Sequence, residues 1–481
     1  MEKNDMITFR EMVRDAAAYL EAHYRCPKHH VEHTGNLCYL LDLYSYLGDI
    51  EKGKRMLDFL VEKIVDTPGG AVFYPGHQDP MNMSQNVIDA GAAVDCMARF
   101  LHMHREALPP AEHERYGGAL RRVVEPYLKT AALGKPITNQ RLWGLTGLAS
   151  YARYVGTNVY SEIIVASIEQ AFADMTADGF FIYMPHAEAQ GNFSGYDGFT
   201  TFYQSRCSAF IRYSLEAAQL DAAPYEERLR KSEQALLAQY RADGTKDLRL
   251  ECKRWYWLSP YEVASAGFDG YALARSAEPA AHSALQNLFF QVRRHFSGGY
   301  LHSHIGAPIN FQCPIFWTAH LAWLTRIPGV EAAFDSANTL APFSYALPGE
   351  EVFTDTTPHA RRLLDRRFQE RNFNEGIYDN GLPDTALWRF KFPKLPPAFF
   401  FGVRETLNHG WYALRGGYVR EALMRGWLLA RELFVMCLPR FSARYGKITA
   451  VKREGERWLV SVTPATKYGT LLEGVTMECI L

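Results

Sequence analysis

The chain has 481 residues, 48% of them hydrophobic and 22% charged, with a formal net charge of −1. That balance fits a globular protein with a large core, long enough for one large domain and a smaller one. It gives no electrostatic basis for binding nucleic acid or an anionic membrane surface. Aromatic residues reach 14%, which suits both a large helical core and the aromatic platforms of a carbohydrate site. Met1 to Phe9 holds no apolar signal core, and no run is long enough to span a bilayer, so the expected location is the cytoplasm. None of the eight cysteines forms a Cys-x-x-Cys pair. Cys38, Cys96, Cys207 and Cys437 lie in apolar runs and read as reduced core residues.

In chain order, residues 7–24 have helical spacing. A histidine-dense loop follows, with Cys26, His29, His30 and His33. No second cluster at ligand spacing completes a metal site there, so it reads as a solvated loop; no metal and no other cofactor is expected. Six helix pairs come next: 35–48 with 51–66, 84–105 with 110–128, 139–155 with 158–175, 200–219 with 224–241, 260–276 with 279–296, and 312–326 with 329–338. Gly or Pro stands at each tight turn between partners, as at Gly48, Pro109-Pro110, Gly156, Pro224, Pro279 and Pro328.

The first helix of a pair is apolar on all sides, as in Leu142-Trp143-Gly144-Leu145-Thr146-Gly147-Leu148, and is expected to be buried. The second is charged and amphipathic, as in Tyr225-Glu226-Glu227-Arg228-Leu229-Arg230, and is expected outside. Six such pairs predict a mainly α chain folded as an (α/α)6 toroid over residues 1–342. Four loops that return to an inner helix share a glycine turn and a short strand-like run: Gly69-Gly70, Asp178-Gly179, Asp243-Gly244 and Gly298-Gly299. Residues 343–481 read as a smaller β-containing C-terminal module, with a hairpin over Lys447–Val462.

The long loops therefore fall on one face, at the heads of the inner helices, where function is expected. Polar and aromatic residues recur there. The second pair offers Asn82 and Gln85, and the third Asn139, Gln140, Arg141 and Trp143. The fourth offers His186, Asp197, Tyr203, Gln204 and Arg206, the fifth Trp255, Tyr256 and Trp257, and the sixth His302, His304 and Asn310. Asn82, Asn139 and Asn310 also suit helix N-caps. Converging helix N-termini favour an anionic ligand, such as a uronate carboxylate or a sulfate.

Thr138-Asn139-Gln140-Arg141-Leu142-Trp143-Gly144-Leu145-Thr146-Gly147-Leu148 resembles the Asn-rich start of an inner helix in the toroid polysaccharide lyases, especially the heparinase II/III-like group. Asp178-Gly179-Phe180 with the Tyr- and Gln-bearing helix after it is similar to that group's Asp-Gly turn. The resemblance spans residues 80–320, and Gln140 stands where the group carries a histidine. It implies β-elimination on an acidic, uronate-containing oligo- or polysaccharide. In that reading Asn139 and Arg206 neutralise the carboxylate, Tyr203 or Tyr256 is the acid/base, and His186 or His302 is the second proton carrier. The remaining residues of the clusters bind substrate. One rival is a glycoside hydrolase resembling the unsaturated glucuronyl hydrolases, using Asp89, Asp197 or Asp269. A non-catalytic saccharide-binding or scaffold toroid is another. The two-histidine toroid epimerases, through His302 and His304, are a further one.

Overall fold

The structure is a computed structural model. It describes residues 6–24, 34–73, 83–185, 201–246, 265–301 and 314–345, single helical positions between 407 and 430, and the backbone of 443–454, 457–466 and 477–480. For residues 23, 24, 83–86, 201, 202 and 314 it gives the backbone alone. The chain divides into two compact units. The first takes in Met1–Lys246, Tyr261–Ser303 and Pro314–Tyr345; the second takes in Asp247–Pro260, His304–Cys313 and Ala346–Leu481.

The first unit is mainly helical. It begins with α1 (Phe9–Tyr24), α2 (Thr34–Leu37), α3 (Leu40–Leu47) and α4 (Ile50–Glu62), then the strands β1 (Ile64–Thr67) and β2 (Gly70–Phe73). There follow α5 (Met83–Met103), α6 (Pro110–Val123), α7 (Lys129–Gly134), α8 (Thr138–Val155), α9 (Ser161–Ala173), α10 (Thr201–Ala217) and α11 (Glu226–Leu237). It closes with α12 (Ala266–Arg275), α13 (Pro279–His295), β3 (Phe296–Ser297), β4 (Tyr300–Leu301), α14 (Pro314–His320), a 3-10 segment (Leu321–Arg326) and α15 (Val330–Ser336). In the second unit β5 (Ala443–Glu454), β6 (Arg457–Thr466) and β7 (Met477–Ile480) form an antiparallel sheet in that order. The expected hairpin is there, with Glu454 paired to Arg457 across the turn.

Local chemistry sets most boundaries. Gly48 and Gly156 end α3 and α8 in the left-handed conformation. The Asp49 side chain accepts the Lys52 N–H and starts α4. Pro110 and Pro279 sit in the first turns of α6 and α13, where the missing N–H costs nothing. Three expected helices are interrupted. The 35–48 helix breaks at Cys38-Tyr39 into α2 and α3. The 110–128 helix widens to a π turn over Val124–Leu128, around Pro126, which has no N–H to donate. The 312–326 helix tightens to 3-10 at Leu321. The tail of the 51–66 helix is instead β1, where Ile64, Val65 and Thr67 are β-branched and pair with β2.

The first helices of successive pairs are neighbours. α2 and α3 pack on α5, α5 on α8, α8 on α10, α10 on α12, α12 on Leu321–Arg326, and that segment on α3. Each second helix packs on its own partner: α4 on α3, α6 on α5, α9 on α8, α11 on α10, α13 on α12. α5 and α8 approach closely because Gly91 and Gly147 face each other; a Cβ on Gly91 would lie 2.3 Å from the Trp143 carbonyl oxygen.

The glycine turns are hairpins whose first strand is the end of the preceding helix pair. β1 pairs with β2, Met175 bridges to Phe181, Tyr240 to Lys246, and β3 pairs with β4. Each leans on the next second helix along. Gly179 (φ +94°) lies against the Lys231 carbonyl of α11, Gly244 against Asn287 of α13, and Gly299 against Asp15 of α1.

One buried polar centre draws a residue from nearly every inner element. Asp95, Ser150 and Tyr213 each lie twelve residues beyond the start of α5, α8 and α10. Asp95 Oδ1 accepts the hydroxyls of Ser150 (2.6 Å) and Tyr213 (2.8 Å), and its Oδ2 accepts Arg326 Nη1 (2.8 Å). Arg326 also donates to Asp42 of α3, whose other oxygen takes Arg99 Nε at 3.1 Å. Trp323 covers the guanidinium at 4.1 Å, and Tyr271 of α12 meets Trp323 edge-on.

Candidate functional site

A second centre lies nearer the heads of the inner helices, and it is built on Arg206. Arg206 sits in the second turn of α10, one turn after Tyr203, so both side chains share a face of that helix. Trp143 occupies the second turn of α8, with Asn139 and Gln140 one turn ahead of it. Phe268 comes from the first turn of α12, and Phe316 and His320 from one face of α14.

The Arg206 guanidinium lies 4.8 Å from the Tyr203 ring centroid, 5.0 Å from Phe268, 5.2 Å from Phe316 and 5.6 Å from Trp143. Only 1% of its surface is exposed. A desolvated guanidinium against aromatic faces gains about 2 kcal/mol from their quadrupoles. Tyr203 is itself stacked on Tyr183, 5.7 Å away.

His320 stands in the same cage. Its ring centroid is 4.1 Å from Phe316, 4.8 Å from Phe268, 5.5 Å from Trp143 and 5.4 Å from Tyr39. Three of those rings are also walls of the Arg206 cage. Burial, and then the Arg206 charge, hold the imidazole well below the usual histidine range, so it is neutral at pH 7. It is fully buried, and neither ring nitrogen has a hydrogen-bond partner. The side-chain oxygens of Asn139 and Gln140 are likewise buried without a partner. Trp143 Nε1 donates to Tyr39 Oη at 3.2 Å, which fixes the indole. A buried cation and a neutral imidazole within shared aromatic walls, with two unpartnered amide oxygens one turn ahead of Trp143 on α8, suit an anionic, hydroxylated group. Low local polarity strengthens each such contact.

The structure thus brings together Arg206, Tyr203 and Trp143 from the sequence-derived set, with Asn139 and Gln140 on the adjoining turn. Asn139 is no N-cap: α8 starts at Thr138, whose N–H and hydroxyl donate to the Tyr183 and Ile182 carbonyls. Two expected substrate-binding residues have framework partners instead. Gln204 donates to the Gly179 and Ser232 carbonyls and accepts the Phe181 N–H, clamping the 175–181 hairpin onto α10. Arg141 donates to the Lys135 carbonyl and to Asp174 at 2.8 Å.

His186, Tyr256, His302, Asn82, Asp197, Trp255, Trp257, His304 and Asn310 lie outside the described residues, as does the side chain of Gln85. Of the carboxylates considered for hydrolysis, Asp269 accepts Lys246 Nζ (2.8 Å) and Tyr240 Oη (2.7 Å). Asp89 accepts the Gly35 N–H (2.7 Å). Asp197 lies outside the described residues. Sequence reasoning missed His320, Phe268 and Phe316. The available signal was a histidine inside the apolar run Ile315-Phe316-Trp317-Thr318-Ala319-His320-Leu321.

Among the described residues no group of three or more His, Cys, Asp or Glu is placed to hold a metal ion, and no helix is long and apolar enough to cross a membrane. No family model matches the chain, and a search of curated proteins finds no match.

Proposed function

We propose that the first unit is an (α/α)6 toroid that acts in the cytoplasm on an acidic, uronate-containing oligo- or polysaccharide by β-elimination. The closed circuit of inner neighbours supports the toroid, as do the hairpins that lean from one outer helix to the next and finally onto α1. The domain reading that goes with it places the toroid in residues 1–342 and a small β-containing module in 343–481.

The observation that carries the chemistry is the buried Arg206 beside Tyr203, one helix from Asn139. Elimination needs a neutralised carboxylate next to a positioned proton carrier. Arg206 and Asn139 would bind the uronate carboxylate and so acidify C5–H. Tyr203 would take that proton, the electron pair would form the C4–C5 double bond, and the C4–O bond would break with protonation of the leaving oxygen. Hydrolysis would need a carboxylate available for proton transfer. Among the described candidates, Asp269 is tied to Lys246 and Tyr240 and Asp89 to the α2 backbone, and neither supports that alternative.

The test is ultraviolet absorbance of an unsaturated uronate during incubation with a panel of uronate-containing glycans. A rise that Tyr203→Phe and Arg206→Gln abolish, with both variants still folded, is the expected result. Loss of absorbance from pre-made unsaturated oligosaccharides would favour hydrolysis instead. No change with either substrate set overturns both.

A further inference from the structure

The two buried polar centres differ in how their acceptors are met. Around Arg326 the carboxylate oxygens of Asp42 and Asp95 all have donors. In the Arg206 cage both ring nitrogens of His320 are left with unused capacity, and so, one turn ahead of Trp143 on α8, are Asn139 Oδ1 and Gln140 Oε1; all three residues are more than nine-tenths buried. An unpaired buried polar group costs about 1–3 kcal/mol, and native proteins hold few of them. A phenylalanine at position 320 would suit the surrounding rings of Phe316, Phe268, Trp143 and Tyr39 better than an imidazole does. Packing alone therefore does not explain His320.

The unused groups also define what would complete them. A neutral imidazole offers one N–H donor and one acceptor nitrogen, and the two amide oxygens accept. A sugar hydroxyl is both donor and acceptor, so it answers either nitrogen of His320 and either amide oxygen. A bare carboxylate, which only accepts, answers just the imidazole N–H. We propose that His320 is a specificity-determining residue of the Arg206 site, holding a ring hydroxyl of the acidic sugar whose carboxylate Arg206 takes. This rests on the reading of Arg206 as the anion-binding group. His320 touches the ligand away from the reacting C5–H, and its role is to distinguish a hydroxylated acid from a plain one.

The experiment compares the affinities of the full-length protein for D-glucuronate, D-galacturonate and acetate, by calorimetry, with thermal unfolding of each variant alongside. Wild type is expected to prefer a uronate over acetate. His320→Phe should lose about five- to tenfold in uronate affinity while leaving acetate binding unchanged. It should also unfold at a higher temperature than wild type, because the unpaired nitrogens are gone. His320→Met, a second apolar replacement, gives the same reading where the phenylalanine does not fold. Unchanged uronate affinity in both variants overturns the role of His320 and leaves the Arg206 site standing. Absence of uronate and acetate binding in wild type overturns both.

Discussion

Arg326 and Asp42 are 284 residues apart in the chain and meet in a double hydrogen bond, Nη2 and Nε of the guanidinium both reaching Asp42 Oδ2 at 2.6 and 2.9 Å. Both side chains are almost fully buried. The pair joins α3 to the Leu321–Arg326 segment, so the contact between those two elements is chemical as well as steric.

Breaking that pair from one side leaves a buried charge. Asp42→Ala is expected to cost about 3–5 kcal/mol in denaturant unfolding, since Arg326 and Arg99 both lose an oxygen. A triple variant, Asp42→Leu with Arg326→Met and Asp95→Asn, should recover part of that loss, because it removes the buried guanidinium together with both of its carboxylate partners. A triple variant as unstable as the single one would mean that the loss comes from packing rather than from the stranded guanidinium.

Acid should act through His320. Its folded-state value is pushed well below the unfolded value of about 6.5, so below that pH the unfolded chain binds a proton that the folded chain does not. Stability is therefore full above pH 6.5 and falls as pH drops beneath it. His104, also lowered by burial, contributes in the same direction. His320→Phe should flatten this part of the curve when melting temperature is followed from pH 7.5 to 5. An unchanged slope would place the acid sensitivity elsewhere.

Lys135, just ahead of α8, should act in the same direction at higher pH. Burial lowers its ammonium to about 8. Between pH 8 and the unfolded lysine value of about 10.4, the unfolded chain holds more protons, so stability rises with pH across that interval. Lys135→Met should stabilise the protein at pH 7 and have little effect near pH 10.5. Equal effects at both pH values would show that the methionine acts by packing alone.

A helix-ending glycine and a hairpin glycine separate two causes of strain. Gly156 and Gly179 both have positive φ, +69° and +94°. Nothing lies within 4 Å of a Cβ on Gly156, whereas one on Gly179 would sit 2.1 Å from the Lys231 carbonyl oxygen. Gly156→Ala should therefore cost about 1 kcal/mol, the conformational penalty alone. Gly179→Ala should cost several times that, measured by the same unfolding assay, since α11 must also move.

Periodicity made the helix pairs readable, because the first helix of a pair is apolar on most sides and the second on a single face. The glycine turns were readable because a positive φ restricts the residue type. Their first strands were not, since Ile64–Thr67 continues a helical pattern until β2 is present to pair with it. The same limit applied to the site. Asn139, Tyr203 and Arg206 stand out as polar residues at helix heads, yet so do Gln204 and Arg141, and only their partners show that these two hold the frame. His320 lay hidden for the converse reason. A histidine in an apolar helix reads as core until its ring nitrogens are counted.

The contact of the last hairpin with α1 bears on how the chain is made. The Phe9 N–H ends on Asp335 Oδ1 at 2.7 Å, 326 residues downstream, and the Tyr19 ring stacks on Tyr300 at 4.9 Å. α3 can cover one flank of α1 early in synthesis. Phe9, which already meets Tyr46 of α3, lacks its contact with Phe334, and Tyr19 lacks Tyr300, for on the order of tens of seconds at ordinary translation rates. During that interval the nascent chain keeps apolar surface on α1 that only the later elements cover. Its need for a chaperone should therefore last until the ribosome has passed Ser336, and stalled chains that end before α15 should be the ones that aggregate.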